Sequence, residues 1–541
     1  MLWPDKAKKY LKKYWKIENL KDKQHEAINE LLLGNDVIGL LPTGYGKSMC
    51  YLIPPLVSKK VMFIISPLKS LMEDQKNKLV QMGISCAALH SDNKNRNNEI
   101  QEILNGNIKI VYMSPEYLLK MNTSDEEDVT FTGGIDLAEK LVSLGILGFI
   151  AIDEAHCCSV WGQDFRPEYK EIKIFRENFP DIPMLAVTAT ATEVVCNDIK
   201  KILKLNNPII VKASFDRPNL YLKVTEIPTV PSKAKQKKLV PREQLVLPII
   251  KKYNTDKIII YVNSRKDTED LSNAINKSIK DCSKPFHAGL SSKIKEDTQN
   301  EFNKGDIKVI VCTTAFGMGI DQNVKCVIVI GCPSSIEEYY QQIGRAGRDG
   351  TPSETILFFD YSKLIVGKYM MKDLKYKFPQ LYKVKEANYN HISKFAYTNT
   401  CRRKYVLEYF NESTTFFSCN NCDNCCEQEL VDMTEQFCNI LFSKENVNII
   451  TNISTIRNKY IQPISVLDKY DKDKQVDLDL LTPLRTWYNH IITNKISKNN
   501  IPENLKIKIP RKFLIPEKKV EKNLENNFEE SINKFEKMLN I

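Results

Sequence analysis

The chain has 541 residues, 42% hydrophobic and 27% charged, and at roughly 150 residues per domain that length calls for three or four domains, not one small binding module. Lys and Arg outnumber Asp and Glu by 78 to 67, a net charge of +11 that permits a polyanionic partner without requiring one, and the balance excludes disordered and fibrous classes. The longest apolar run, 141–152, is broken by Ser143, Gly145 and Gly148 and is too short to cross a bilayer, so no membrane partner is expected.

The first twenty residues hold no apolar stretch of signal-peptide length, and they carry Lys with Asp5 and Glu18 where a transit peptide has Arg and Ser. They read as an amphipathic helix of an intracellular, soluble protein. Eight Lys face Asp5, Glu18 and Asp22 across residues 1–24, one concentration of the positive charge. Short apolar runs then alternate with helix-like stretches, which predicts parallel strands at 36–41, 61–66, 108–113, 147–153 and 184–188. Three Pro and clustered Lys over the basic linker 226–243 break the pattern and predict an exposed connection. A second series follows at 257–263, 309–313, 327–330 and 355–359. The expectation is an α/β lobe over 1–212, a second over 213–360, and a cleft between them. Residues 361–430 turn helical and then Cys-rich. Residues 431–541 carry no motif, although Val520, Leu524, Phe528, Ile532, Phe535 and Leu539 predict a terminal amphipathic helix.

Residues 36–55 run from an apolar strand through a Gly-containing turn to Gly46-Lys47-Ser48 and a helix. That order offers a triphosphate bare backbone N–H groups, a helix N-terminus, a Lys cation and a hydroxyl for Mg²⁺. Leu41 stands where the strict phosphate-loop pattern has its first Gly. The run 147–154 is a buried strand ending in Asp153 and Glu154, at the sheet edge where open α/β sheets bind ligands. Asp153 can hold Mg²⁺ through its water shell, and Glu154 can orient and deprotonate an attacking water. The second lobe has no second phosphate loop. It offers Arg345 and Arg348, three apart on a predicted helix, as guanidinium groups that meet phosphoryl charge across the cleft. Such a pairing implies a motor driven by opening and closing.

Cys401-x17-Cys419-x2-Cys422-x2-Cys425 presents four soft ligands, the set that tetrahedral Zn²⁺ takes in an intracellular chain. Cys426 competes with Cys425 for the fourth place, and an iron–sulfur cluster competes as the metal, although no x3-Cys-Pro follows. Arg402, Arg403 and Lys404 beside the cluster are expected to face phosphates. Cys196, Cys312 and Cys326 read as apolar filler.

PTGYGKS, SPLKSLMEDQ, IDEAHCCSVWGQDFRPEY, TATAT, SFDRPN, YVNSR, FHAGL, AFGMGID and QQIGRAGRDG follow one another in the order of superfamily 2 helicases of the RecQ type, which the chain resembles from about Leu20 to Cys426. The resemblance implies two RecA-like doubly wound parallel-sheet lobes, a helical zinc-binding subdomain and a diverged winged-helix tail. It further implies ATP-dependent 3′→5′ unwinding of single-stranded and forked duplex DNA in replication, recombination or repair, in the nucleus or, for a viral chain, in the host nucleus or a cytoplasmic replication site. Carried over residue by residue, Lys21 and Gln24 would read the adenine. Thr43, Gly44, Gly46, Lys47, Ser48, Asp153 and Gln341 would hold nucleotide and Mg²⁺, and Asp153 and Glu154 would perform hydrolysis. Arg345 and Arg348 would complete the site, and Thr188 and Thr190 would link it to the nucleic-acid track. The match favours Cys425 as the fourth zinc ligand. WGQDFRPEY resembles the aromatic-rich loop of RecQ-like enzymes; a base stacked on Trp161 or Phe165 beside Arg166 would report strand occupancy to Glu154, whereas core filling is the competing reading of the two aromatics. Gln163 stands where that loop has His, Lys21 where Arg is usual, and no winged helix is legible after Cys426. The competing functions are an RNA-directed ATPase and a zinc-containing adaptor with a decayed motor, the latter opposed by the intact Lys47, Asp153, Glu154 and Arg348.

Overall fold

Strands of four to six residues, most of them apolar runs, form the first sheet of the computed structural model, which describes residues 3–120, 131, 133–159, 165–190, 192–227, 229–231, 237–316, 324–398, 400–416, 418–426, 430–432, 435 and 508–510. Its strands are β1 (Val37–Leu40), β2 (Val61–Ile65), β3 (Cys86–Leu89), β4 (Ile110–Met113), β5 (Leu147–Ile152), β6 (Met184–Thr188) and β7 (Ile209–Lys212). They lie in the order β3-β4-β2-β5-β6-β1-β7, and all pairs are parallel. Helices cover both faces, so β1, β2 and β6 are buried along their whole length and read as unbroken apolar runs. Asp36, at the start of β1, is buried and accepts from Arg176 Nη2 at 2.6 Å, Met184 N at 2.8 Å and Asn206 N at 2.6 Å, pinning β1 beside β6. The N-terminal helix Trp3–Tyr10 continues as a π-helical turn, Leu11–Trp15, and buries Ala7 and Leu11 against Ile28, Ile53 and Val57.

The second lobe contains β8 (Leu220–Glu226), β9 (Thr229–Pro231), β10 (Lys237–Leu239), β11 (Ile258–Val262), β12 (Ser283–Phe286), β13 (Val309–Cys312), β14 (Cys326–Gly331) and β15 (Ser353–Phe359). Six of these form a parallel sheet in the order β12-β13-β11-β14-β15-β8. The remaining two overturn one expectation. The Pro- and Lys-rich stretch read as an unpatterned connection contains an antiparallel pair, β9 with β10, followed by a helix from Arg242 to Lys252; Pro241 immediately precedes that helix, where a fixed φ favours entry. The predicted strands are all present, most of them shorter by a residue or two at an end. Four more, β3, β7, β8 and β12, lack a long apolar run.

Helices Tyr361–Met370, Lys372–Lys377, Pro379–Tyr397 and Arg402–Tyr409 follow. The segment 213–219, joining β7 to β8, is held by the end of the last of these. Phe215 stacks on Phe410 at 4.5 Å, Lys212 Nζ donates to Phe410 O at 2.9 Å, and Phe215 N donates to Glu412 Oε2 at 2.7 Å. The chain divides into two compact units, Met1–Cys422 and Asp423–Ile541. Of the second, the described residues form a short helix, Asp423–Cys426, and an antiparallel pair, β16 (Leu430–Asp432) with β17 (Lys508–Pro510). The winged helix and the terminal helix expected in 431–541 fall outside the described residues. Among the described residues no helix is long and apolar enough to cross a membrane.

Candidate active site and metal centre

Strand order brings the chemistry together, because β5, β6 and β1 are neighbours and their carboxyl ends carry Asp153-Glu154, Thr188 and the phosphate loop. Gly44 and Gly46 have φ of +82° and +92°, conformations that cost a side chain strain and let the loop backbone curl. Lys47 Nζ donates to Glu154 Oε1 at 2.9 Å. Tyr51, in the first turn of the following helix, sets its hydroxyl 3.1 Å from Ser48 Oγ and 3.3 Å from Asp153 Oδ2. Glu154 itself sits at φ +48°, a left-handed conformation whose strain, about 1 kcal/mol, is typical of functional positions.

Buried Asp153 lies beside partly buried Glu154 with one ammonium, Lys47, nearby, which leaves a deficit of positive charge at Asp153. Burial, and then Glu154, push the Asp153 carboxyl up to about 6. Burial also works against ionised Glu154, but Lys47, His156 and Arg345 outweigh it and hold that carboxyl below its ordinary value. A divalent cation at Ser48 Oγ and Asp153 corrects such a deficit, so these donors fit a magnesium–nucleotide complex.

His156, beside this carboxylate, starts a line of hydrogen bonds that leads into the second lobe. His156 Nδ1 lies 3.4 Å from Glu154 Oε2 and 2.8 Å from Thr188 Oγ1. Thr190 N donates to Thr188 Oγ1 at 3.3 Å, and Gln341 Nε2, from the second lobe, donates to Thr190 Oγ1 at 3.2 Å. The helix Ile336–Ile343 ends at Gly344, so Arg345 and Arg348 lie in the turn beyond it. This corrects the helical placement of the two Arg: Gly347 at φ +55° takes the backbone out of helical space. The turn still meets the phosphate loop. A Cβ on Gly44 would stand 3.4 Å from Arg348 Cγ, and one on Gly344 3.0 Å from Thr43 Cβ.

Lys21 and Gln24 are turned onto the loop itself. Gln24 Nε2 donates to Tyr45 O at 3.0 Å and Gly46 O at 2.9 Å; Lys21 Nζ reaches Gly44 O at 3.4 Å and lies over the Tyr45 ring. Arg166 donates to Pro67 O at 2.6 Å, and Lys170 sits over the Phe165 ring; Trp161 and Gln163 fall outside the described residues. Arg402 and Arg403 depart from expectation. Arg402 is buried and donates to Phe395 O at 2.7 Å, and Arg403 pairs with Asp216 through Nε and Nη2, so these guanidinium groups hold the fold together and do not face phosphates. Lys404 pairs with Glu408 one turn on, at 3.7 Å. Tyr51, His156 and Arg217 were not singled out for the site. Tyr51 could have been found as the residue three beyond Ser48 on one helix face, and His156 as the polar residue after the two acids; Arg217 depends on tertiary contacts alone.

Cys401, Cys419, Cys422 and Cys425 place their sulfurs within 4.8 Å of one another, near the ~3.8 Å edge of a tetrahedral site with Zn–S of ~2.3 Å. Backbone N–H groups of Lys404 and Asn421 donate to the sulfurs of Cys401 and Cys419. Neighbouring Cys401 and Cys422, then burial, push the Cys419 thiol well up, the crowding that a divalent metal relieves. Cys426, exposed, is not part of the cluster.

Three family models match in order: DEAD/DEAH box helicase over residues 21–198, helicase conserved C-terminal domain over 241–350, and RecQ zinc-binding over 365–426. A putative ATP-dependent RNA helicase, R290, of Acanthamoeba polyphaga mimivirus is 39% identical over 460 residues, 84% of this chain and 78% of that one. The ATP-dependent DNA helicase RecQ of Haemophilus influenzae is 37% identical over 422 residues, 77% of this chain and 62% of its own length, so the chain spans less than two thirds of that relative. The DUF1998 helicase MrfA bound to DNA and AMPPNP superposes with a TM-score of 0.54 at 19% identity, over 78% of this chain and 63% of that one, a likeness of fold. With helicase lobes and a RecQ zinc-binding segment in sequence, and a relative matched over most of both chains, the chain belongs to the RecQ family of DEAD/DEAH-box helicases.

Proposed function

We propose that the protein is an ATP-dependent DNA helicase that moves 3′→5′ along single-stranded DNA and opens forked duplexes, in the nucleus or, for a viral gene, at the site of viral replication. The observation that carries the reading is the line that starts at Glu154, within ion-pair distance of His156, and runs by hydrogen bonds from His156 through Thr188 and Thr190 to Gln341. It joins the group placed to activate water to the lobe that would move.

Lys47 holds Glu154 in an ion pair. Nucleotide phosphates would draw the Lys47 ammonium away, freeing Glu154 to accept a proton from water; Gly44 and Gly46 would supply backbone N–H donors. Ser48 Oγ and Asp153 would hold magnesium, which when bound neutralises phosphate charge. Arg345 and Arg348 would meet that charge from the second lobe, and Gln341 would pass lobe movement back through Thr190.

A crevice of about 310 Å³ at the carboxyl ends of β11, β13 and β14 is lined by Asn263, Thr313, Thr314, Ser334 and Lys385. Hydroxyls, an amide and an ammonium are the donors that grip a phosphate backbone. The names of the RecQ relatives favour DNA, and that of the mimivirus relative makes RNA the comparison. Lys47→Ala is expected to abolish ATP hydrolysis while leaving single-strand binding measurable by fluorescence anisotropy. Turnover at the wild-type rate in that variant would refute the site.

A further inference from the structure

We propose that Arg217 is a positioning residue for hydrolysis, the guanidinium that ties the phosphate loop to the turn bearing Arg345 and Arg348. The proposal rests on the nucleotide reading above and adds to it a residue that acts through others. Arg217 lies in the segment joining the lobes, yet its side chain serves both. Nη1 donates to Thr43 O in the phosphate loop at 3.3 Å, and Nη2 donates to Ala346 O and Gly347 O, each at 2.8 Å. Nε reaches Asn219 Oδ1 at 3.4 Å, and Asn219 Nδ2 donates in turn to Gly347 O at 2.9 Å.

The three carbonyls sit in two lobes, and the two on the second lobe lie between Arg345 and Arg348. Only a planar fork with several donors can span them; an ammonium on a flexible stem cannot. Among the described residues no carboxylate pairs with Arg217 in an ion bridge, so backbone oxygens are its anchors. Burial therefore disfavours its charge, and that charge in turn adds to the burial that lowers the Lys21 ammonium. A Cβ on Gly44 would stand 3.8 Å from Nη1 and 3.4 Å from Arg348 Cγ. Arg217 thus sits where closure must bring the arginine turn against the loop, and a misplacement of about 1 Å there costs roughly 100-fold in rate.

The test uses the full zinc-loaded chain as wild type, Arg217→Lys, Arg217→Gln, Arg345→Ala and the double variant Arg217→Lys with Arg345→Ala. The readouts are kcat and KM for ATP at saturating single-stranded DNA, and affinity for a fluorescent ADP analogue. Arg217→Lys and Arg217→Gln should bind the analogue within about threefold of wild type while kcat falls about 100-fold, and the double variant should be no slower than Arg345→Ala alone. A raised KM at unchanged kcat, lost analogue binding in both Arg217 variants, or losses that multiply in the double variant would overturn the proposal. A wild-type chain that binds no nucleotide analogue sinks the nucleotide reading itself and the proposal with it.

Discussion

Glu154 carries the largest demand of any single residue. Its left-handed backbone, its contact with Lys47 and its approach to His156 make one carboxylate answer to both the phosphate site and the second lobe. Glu154→Gln keeps the shape and removes the base, so strand-stimulated hydrolysis should fall ~10²–10⁴-fold while nucleotide binding persists; steady-state rates beside equilibrium titration of an ADP analogue check both halves. Lys47, Ser48, Asp153 and Glu154 were legible in the sequence because loop and strand ends are local patterns. Arg217 was not, since a guanidinium that joins Thr43 to Ala346 exists only after distant segments meet; for Tyr51 the spacing from Ser48 is local, and only its contact with Asp153 is not.

Among the elements, burial on both faces made β1, β2, β4, β5 and β6 readable as apolar runs. β3 reads Cys-Ala-Ala-Leu, β12 holds Lys284 and Pro285, and β7 exposes Ile209 and Ile210; these are short or edge strands with no long apolar signal, and Pro is tolerated on an edge. Arg345 and Arg348 show the reverse failure. Their spacing of three fits a helix face, but Gly344 and Gly347 end the helix, and the turn beyond it is what reaches Thr43. At the start of β1, Asp36 satisfies three donors from separate elements. Asp36→Ala strands Arg176 in the core and should cost about 3–5 kcal/mol, read as a lower urea midpoint; an unchanged midpoint would show that the pin contributes little.

For the molecule as a whole, the zinc subdomain is more than an appendage. Cys401 begins the helix Arg402–Tyr409, and the residues after that helix, Phe410 to Glu412, hold the segment between the lobes. Metal analysis should return about one zinc per chain, and Cys422→Ser should release it and lower the thermal midpoint; a metal-free wild type of full stability would contradict the site. Loss of zinc should also weaken strand stimulation more than nucleotide binding, because the clamp bears on the joint and not on the phosphate loop.

In the proposed function, closure of the two lobes around ATP moves the protein 3′→5′ on DNA. The most direct test is ATP-dependent unwinding of a labelled DNA duplex with a 3′ overhang, run beside the same duplex with a 5′ overhang and an RNA duplex with a 3′ overhang. Strand separation confined to the 3′-overhang DNA, and absent with Lys47→Ala, is the predicted result; faster unwinding of the RNA duplex or of the 5′-overhang DNA would contradict it.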